Sequence, residues 1–375
     1  MKIIFVSDAV FPYMKGGKEK RLYEISTRLS KMGHDVHVYT MHWWDTPEKT
    51  KVENGIILHA ISKRYDMYYE NRRSIKEGVL FGVSCLKLFG TKFDIIDVDH
   101  MPFFPILAVW FVCVVTGRKN KFYGTWHEAL TKEEWVNYMG KMGMIASFIE
   151  NICIHLPSRI TATSEQTKSH LEEKIDPNRV RLVTPGVDFD LINSVGSSGS
   201  KYDVISICRL VKDKNIDLLI RSIAAAKKQE PNITCLIIGK GPEKNQLLKL
   251  TKKLELENNM TFIESISENS EVYKQIKSAK VFCLPSTREG FGIVVLEALG
   301  CGVPVITSDL PTNASRRLVT NGVNGSLVKL NKNLLAKEII YWIKKRFEKS
   351  NYLLADIAKY DWEELAYSQY EVYMI

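Results

Sequence analysis

The chain has no Cys-x-x-Cys pair, and its seven cysteines (Cys85, Cys113, Cys153, Cys208, Cys235, Cys283 and Cys301) stand singly. An odd count set in apolar runs such as Val281-Phe282-Cys283-Leu284 argues for buried thiols in a reducing compartment, against a disulfide framework or a zinc site. Long hydrophobic runs are also lacking. The longest covers residues 103–116, is interrupted by Pro105, falls short of a bilayer span and reads as a buried helix. No signal-peptide pattern opens the chain, because Lys2 leads directly into Ile3-Ile4-Phe5-Val6 with Asp8 behind. A cytoplasmic location is therefore expected. No basic low-complexity tail is present, and no nucleic-acid partner is expected.

What is present is ordinary for an enzyme: 375 residues, 45% apolar, 25% charged and 10% aromatic. A chain this long exceeds one core, and two domains of roughly 150–200 residues are the natural division. The formal charge is +9, with 26 Lys+Arg against 23 Asp+Glu in residues 1–190 and 26 against 20 in the remainder. Such an excess fits a generally basic surface, phosphate-rich ligands or an anionic membrane face.

Short β-branched runs alternate with helical patterns. Strands are predicted at 2–7, 36–40, 56–61, 94–98, 121–125, 159–163 and 180–183, with Leu22, Ile25 and Leu29 at helical spacing between the first two. After a polar break at 190–201, centred on Ser-Val-Gly-Ser-Ser-Gly-Ser, the pattern restarts with strands at 203–208, 233–239, 260–263, 280–284 and 303–307. Repeated β-α-β units imply a parallel sheet covered on both faces. The expected division is residues 1–190, a linker at 191–201 and a second domain at 202–360. The amphipathic segment 361–375 fits either domain and can pack back on the first.

Gly16-Gly17 opens the first helix after a long loop and bares backbone N–H groups to which a phosphate can come close, although a plain loop glycine pair reads the same way. It is not a G-x-G-x-x-G fingerprint, which disfavours nicotinamide chemistry. Arg209 and Lys214 follow the first strand of the second half, where they suit phosphate oxygens or form a solvated basic turn. Residues 280–284 lead into Ser286, Arg288 and Glu289. Gly290-Phe291-Gly292 then opens a helix carrying Glu297, with glycines suited to a diphosphate. Glu289 on the loop and Glu297 inside the helix are placed for separate tasks, one on a sugar and one on ribose, rather than as the paired carboxylates of a glycoside hydrolase. His127 ends a strand where a ligand-facing polar residue belongs, although a lone histidine in a strand-to-helix turn is more often structural.

Together these residues resemble the family-4 retaining glycosyltransferases of the GT-B fold. The matching text is Gly-Gly-Lys-Glu at 16–19, Lys-Met-Gly-His-Asp-Val at 31–36, Trp-His-Glu at 126–128 and Pro-Gly-Val-Asp at 185–188. It continues as Arg-Leu-Val-Lys-Asp-Lys-Asn at 209–215, Ile-Gly-Lys-Gly-Pro at 238–242 and Pro-Ser-x-x-Glu-Gly-Phe-Gly-x-x-x-x-Glu-Ala at 285–298. The resemblance implies an α/β GT-B protein, two Rossmann-like doubly wound domains facing across a cleft. It implies that Arg209 and Lys214 hold a donor diphosphate with the backbone of Gly16 and Gly17, that Glu297 binds ribose and that Glu289 binds the transferred sugar. His127 would lie near the anomeric centre. Gly239 and Gly241 would line the nucleotide pocket, with the base near Phe262 and Ile263. The donor would be a nucleotide sugar and the acceptor a glycan or lipid-linked glycan, with retained configuration, no metal and no cofactor.

The chain departs from that pattern at Cys208, where glycine is usual, at 308–313, which lacks Gly-Gly, and at Arg316-Arg317, where Pro-Glu is common. Asp97-Val98-Asp99 looks like a D-x-D metal motif but stands where the resembled family carries polar residues without metal. Arg64, Arg72, Arg73 and Lys76 with Tyr65, Tyr68 and Tyr69 form a basic, aromatic stretch that suits the inner face of an anionic membrane or a solvated loop. A nucleotide-sugar epimerase, a phosphorylase and a non-catalytic sugar-binding protein are the competing readings.

Overall fold

Strands of a parallel sheet are buried on both faces and so read as unbroken apolar runs; the chain carries two such sets. The computed structural model describes residues 1–69, 72–196, 199, 201–345 and 357–375, without the side chains of Tyr68, Tyr69 and Arg72. These residues form two compact units, the first comprising Met1–Pro185 and Trp362–Ile375, the second Gly186–Asp361.

In the first unit the strands are β1 (Lys2–Val6), β2 (Asp35–Met41), β3 (Thr50–Glu53), β4 (Ile56–Ser62), the short pair β5 (Tyr68–Tyr69) and β6 (Arg72–Arg73), β7 (Ile95–Asp99), β8 (Phe122–Trp126), β9 (Arg159–Ala162) and β10 (Val180–Leu182). Eight form one sheet in the order β10-β9-β8-β7-β1-β2-β4-β3, parallel except where edge strand β3 runs antiparallel to β4. The order reverses at β1, which lies between β2 and β7. Open α/β sheets bind ligands at the strand ends beside such a reversal.

Helix Gly17–Lys31 lays Leu22, Ile25 and Leu29 into the core. The C-terminal helix Trp362–Met374 packs beside it, where Gln369 accepts from Arg21 at 2.9 Å and the Tyr373 hydroxyl donates to Asp97 at 2.6 Å. Helices Ile75–Ser84, Phe103–Val115 and Met142–Cys153 pack in succession. The run at 103–116 is not a wholly buried helix: Ile106, Val109 and Val112 are buried, whereas Phe111, Val114 and Val115 face solvent. Successive turns of a uniformly apolar helix carry no polar stripe to mark the outer side.

The second unit contains β11 (Tyr202–Ile207), β12 (Cys235–Ile238), β13 (Met260–Ile263), β14 (Ala279–Leu284), β15 (Val305–Ser308) and β16 (Gly325–Val328). Their order, β13-β12-β11-β14-β15-β16, is the doubly wound nucleotide-binding order, with its reversal between β11 and β14. Helices Ile216–Lys227 and Lys332–Lys344 bury one face of the sheet; helices Asn269–Lys277 and Ile293–Gly300 bury the other.

The composition break does not mark the boundary between units. Val187 and Ile192 are fully buried in the second unit's core, and the Val187 N–H donates to Tyr360 at 2.9 Å. Helix Phe189–Ser194 precedes the serine-rich stretch, of which Ser197, Ser198 and Ser200 lie outside the described residues. Among the described residues no helix is long and apolar enough to cross a membrane.

Candidate functional site

The reversal between β11 and β14 brings together two loops far apart in sequence. After β11 the chain makes a short 3-10 turn, Lys212–Lys214, and Asn215 adopts a left-handed conformation (φ 50°) before the next helix. Asn215 ties this turn to the loop after β14, donating to the Pro285 carbonyl and the Thr287 hydroxyl, each at 2.8 Å. Lys214 is thereby held with its Nζ 2.8 Å from Glu289 Oε1 and 3.2 Å from the Arg288 carbonyl. The Ser286 hydroxyl donates to the same Glu289 oxygen at 2.7 Å. Burial alone would depress the Lys214 ammonium, but Glu289 and Asp213 outweigh it and raise it above lysine's ordinary value. Lys214 is therefore a permanent cation.

The Glu289 backbone is clamped as well. Its N–H donates to Thr312 at 3.2 Å and its carbonyl accepts from Ala314 at 2.9 Å. Buried Asn313 turns that second strand of the clamp, donating to Thr307 Oγ1 and to Ser308 O and Oγ, each at 3.0 Å. Gly-Gly is absent from 308–313, and a hydrogen-bonded Asn turn stands in its place. Gly292 then caps helix Ile293–Gly300 at φ +87°, and a Cβ there would lie 2.4 Å from Ser315 Cβ. Glycine is required on both counts. Gly290 and Phe291 precede that cap, and Glu297 is buried within the helix.

Arg209 is exposed, on the loop between β11 and the turn carrying Lys214. Cys208 stands before it with its thiol pushed up to about 12, chiefly by burial, and is unreactive at neutral pH. Gly239 and Gly241 have a reason independent of any ligand. A Cβ on them would fall 1.9 Å from the Cys208 carbonyl and 2.2 Å from the Leu210 carbonyl, and the Gly239 N–H is already given to Ile263 at 2.8 Å. Phe262 and Ile263 are successive residues of β13 and pack toward opposite faces of the sheet. Their side chains therefore cannot form one platform for a base, because the strand period is two.

The first unit has its own cluster, beside the reversal at β1. Adjacent parallel strands β7 and β8 bring Asp99 Oδ1 to 2.8 Å from His127 Nε2. Lys18 Nζ lies 3.7 Å from Asp99 Oδ2 and forms a close ion pair with fully buried Asp8, which also pairs with Arg73. Burial alone would raise the Asp99 carboxyl, but Lys18 and His127 outweigh it and hold it well below the usual carboxylate range. An ionised Asp99 can only accept, so the His127 ring donates to it from Nε2. The His127 N–H donates to His100 Nδ1 at 3.3 Å, and the His100 ring stacks on Trp126 at 5.4 Å. Behind the cluster a cavity of about 10 Å³ lies between Arg21, Asp97, Asp99 and Thr125, room for about one water.

These contacts bear on the D-x-D pair and on the basic stretch. Asp97 and Asp99 are committed to protein partners: Asp97 accepts from Thr125 at 2.9 Å and from Tyr373 at 2.6 Å. Arg73 is a half-buried ion-pair partner of Asp8 rather than a free surface cation of the basic stretch, and Arg64 lies over the Trp43 ring at 4.9 Å. Gly16 caps the first helix, but a Cβ on it would lie 2.3 Å from Glu19 Oε2, so that a carboxylate of the chain itself lies against this N-terminus beside Gly17. Asp8, Lys18 and Asp99 were not singled out as site residues by motif. For Asp8 and Asp99 the signal was position, at the carboxyl ends of two strands that turn out to be neighbours, and Lys18 lies in the first turn of the helix that follows β1.

The chain matches the family model "Glycosyltransferase Family 4" over residues 15–191 and "Glycosyl transferases group 1" over residues 188–359. It is 23% identical over 329 residues to an alpha-monoglucosyldiacylglycerol synthase of Streptococcus pneumoniae, covering 83% of this chain and 72% of that one. It is 29% identical over 172 residues to the GtfA subunit of a UDP-N-acetylglucosamine–peptide N-acetylglucosaminyltransferase of the same species, a match over 45% of this chain but only 33% of the relative's length. Among solved structures it resembles a sucrose-phosphate synthase of Thermosynechococcus elongatus (TM-score 0.76, 17% identity, 100% and 98% of the two chains). It also resembles HepE of Anabaena, solved with UDP and glucose (TM-score 0.75, 18% identity, 99% and 98%). At such identities the structures speak for the fold. With two family models abutting near residue 190 and two doubly wound units beneath them, the chain belongs to the family-4, group 1 glycosyltransferases of the GT-B fold.

Proposed function

We propose that this protein transfers a hexose-type sugar from a nucleotide-diphosphate sugar to a glycan or lipid-linked acceptor, with retention at the anomeric carbon and without a metal. One observation carries the reading: Lys214, Glu289 and Ser286 converge at the strand reversal of the second unit, immediately before a glycine-capped helix bearing Glu297. Arg209 and Lys214 supply positive charge for a diphosphate. Glu289 takes both its hydrogen bonds on Oε1, which leaves Oε2 for a sugar hydroxyl, and Glu297 is assigned to ribose. His127, oriented by Asp99, is the group of the first unit assigned to the reaction.

The chemistry follows from where charge develops. As the bond from anomeric carbon to phosphate oxygen breaks, negative charge grows on the leaving diphosphate and positive charge on the ring. Fixed cations favour the first without reorganising. The leaving phosphate oxygen accepts the proton of the attacking hydroxyl on the same face, so no strong protein base is needed. Relatives named for UDP-linked and lipid-linked sugars support a donor and acceptor of these kinds.

The test is a thermal-shift series with UDP-, GDP- and ADP-sugars, with and without EDTA, followed by anomeric analysis of the product. Stabilisation by one nucleotide class, indifferent to chelation, and a product of retained configuration are expected. A strict divalent-metal requirement or an inverted product would overturn the mechanism, and consumption of donor without an acceptor would turn the reading toward an epimerase.

A further inference from the structure

Helix Met142–Cys153 is apolar on the side that should be polar. Its inner face is anchored: Gly143 sits so close to helix Lys132–Met139 that a Cβ would fall 2.1 Å from the Trp135 carbonyl, and Trp135 donates to Glu150 at 2.7 Å. With Gly143, Glu150 and Cys153 buried, the outer face cannot rotate inward. That face carries Met144 (53% exposed), Ile145 (51%) and Phe148 (67%). The two helices packed in succession beside it also expose apolar side chains, Phe111 and Val115 on Phe103–Val115 and Val83 on Ile75–Ser84.

Charge selects the occupant. Across these three helices the ionisable side chains are Lys76, Glu77 and Glu150; both carboxylates are buried, and only Lys76 is exposed. The segments that border them add exposed Lys87, Lys132 and Lys141 against exposed Glu133. An apolar face whose exposed charged border is mainly cationic, on a chain of net charge +9, disfavours a second copy of itself and attracts an anionic surface. None of the described helices can span a bilayer, so the geometry is that of helices lying in the interface.

We propose that the face formed by helices Ile75–Ser84, Phe103–Val115 and Met142–Cys153 docks on an anionic lipid bilayer, inserting Ile145 and Phe148 among the acyl chains. This surface differs from the stretch at 64–76 read from sequence, whose Arg73 is committed to Asp8. It requires no sugar donor, so its test is independent of the proposed transfer.

The experiment is flotation of the full chain with phosphatidylcholine vesicles, with and without phosphatidylglycerol. Binding to the phosphatidylglycerol vesicles, weakened by salt, is expected. The double variant I145S/F148S should bind at least about tenfold more weakly, and K76E and K141E should each bind about fivefold more weakly to the anionic vesicles alone. The double variant should melt like wild type and keep its donor-induced thermal shift, which shows an intact fold. Wild-type protein that floats with neither vesicle, a double variant that binds as wild type, or a wild-type dimer that the double variant dissociates would each overturn the proposal.

Discussion

In the second unit, helix Lys244–Lys253 shows solvent Asn245, Gln246, Lys249, Lys252 and Lys253, as a helix on a soluble sheet should. In the first unit, helix Met142–Cys153 shows Met144, Ile145 and Phe148. The strand reversals differ as well. The second unit places Lys214 against Glu289 and Asp213 beside exposed Arg209. The first links Asp8, Lys18, Asp99 and His127 in a chain where acids and bases alternate. One architecture therefore serves two ends. A lysine fixed on a loop beside an exposed arginine suits a unit that recruits a phosphate, whereas a largely buried chain suits one that orients a single ring.

The sharpest way to break this contrast is to remove one cation from the second unit. Lys214→Ala should lower kcat on the order of 10²–10³-fold in a steady-state assay of sugar transfer; a loss confined to KM would show that Lys214 merely binds the donor. The matching change in the first unit is Asp99→Asn. It removes the carboxylate that orients the His127 ring and should cost roughly ten- to a hundredfold in kcat, with the pH–rate profile displaced because an ionised neighbour is gone. An unchanged profile would mean that Asp99 serves only the fold.

Two smaller effects concern stability. Gly292→Ala must hold φ near +87° and clear Ser315, so it should cost about 1–3 kcal/mol in urea denaturation, with activity falling beyond what unfolding explains. Glu150→Gln is subtler and depends on pH. Burial pushes the Glu150 carboxyl up to about 7 despite its bond from Trp135. Because its folded value lies above its unfolded one, the folded state holds the proton more tightly. Its contribution is therefore complete below the unfolded pKa near 4.5 and lost as pH rises through 7. The amide should leave the melting temperature unchanged at acid pH and raise it slightly at pH 8; a rise at both would refute the titration.

Much of the fold was legible. The short, largely β-branched runs of β1, β7, β11 and β14 announced strands, and their spacing announced parallel crossovers. One edge of each sheet was not legible: β3 reads Thr-Lys-Val-Glu and β16 reads Gly-Ser-Leu-Val, too short and too polar to stand out, whereas the opposite edges β10 and β13 were. Lys214 and Glu289 were both marked from sequence, but their meeting across 75 positions depends on β11 and β14 being neighbours. Asp99 was seen only as half of a D-x-D motif. Its bond to His127, 28 residues away, needed the pairing of β7 with β8. Gly239 and Gly241 drew notice as ligand-facing glycines, whereas backbone crowding from Cys208 and Leu210 accounts for them.

Local chemistry in the sequence was enough to determine the alternation of strand and helix, the two-domain plan and the order of the motifs, because hydrophobic periodicity and turn residues act over a few positions. Tertiary structure alone decided which charges neutralise one another and which apolar faces stay outside. Ion pairs depend on strand order, which is nonlocal, and a helix such as Phe103–Val115, apolar all round, carries no mark of its outer side until its neighbours have packed.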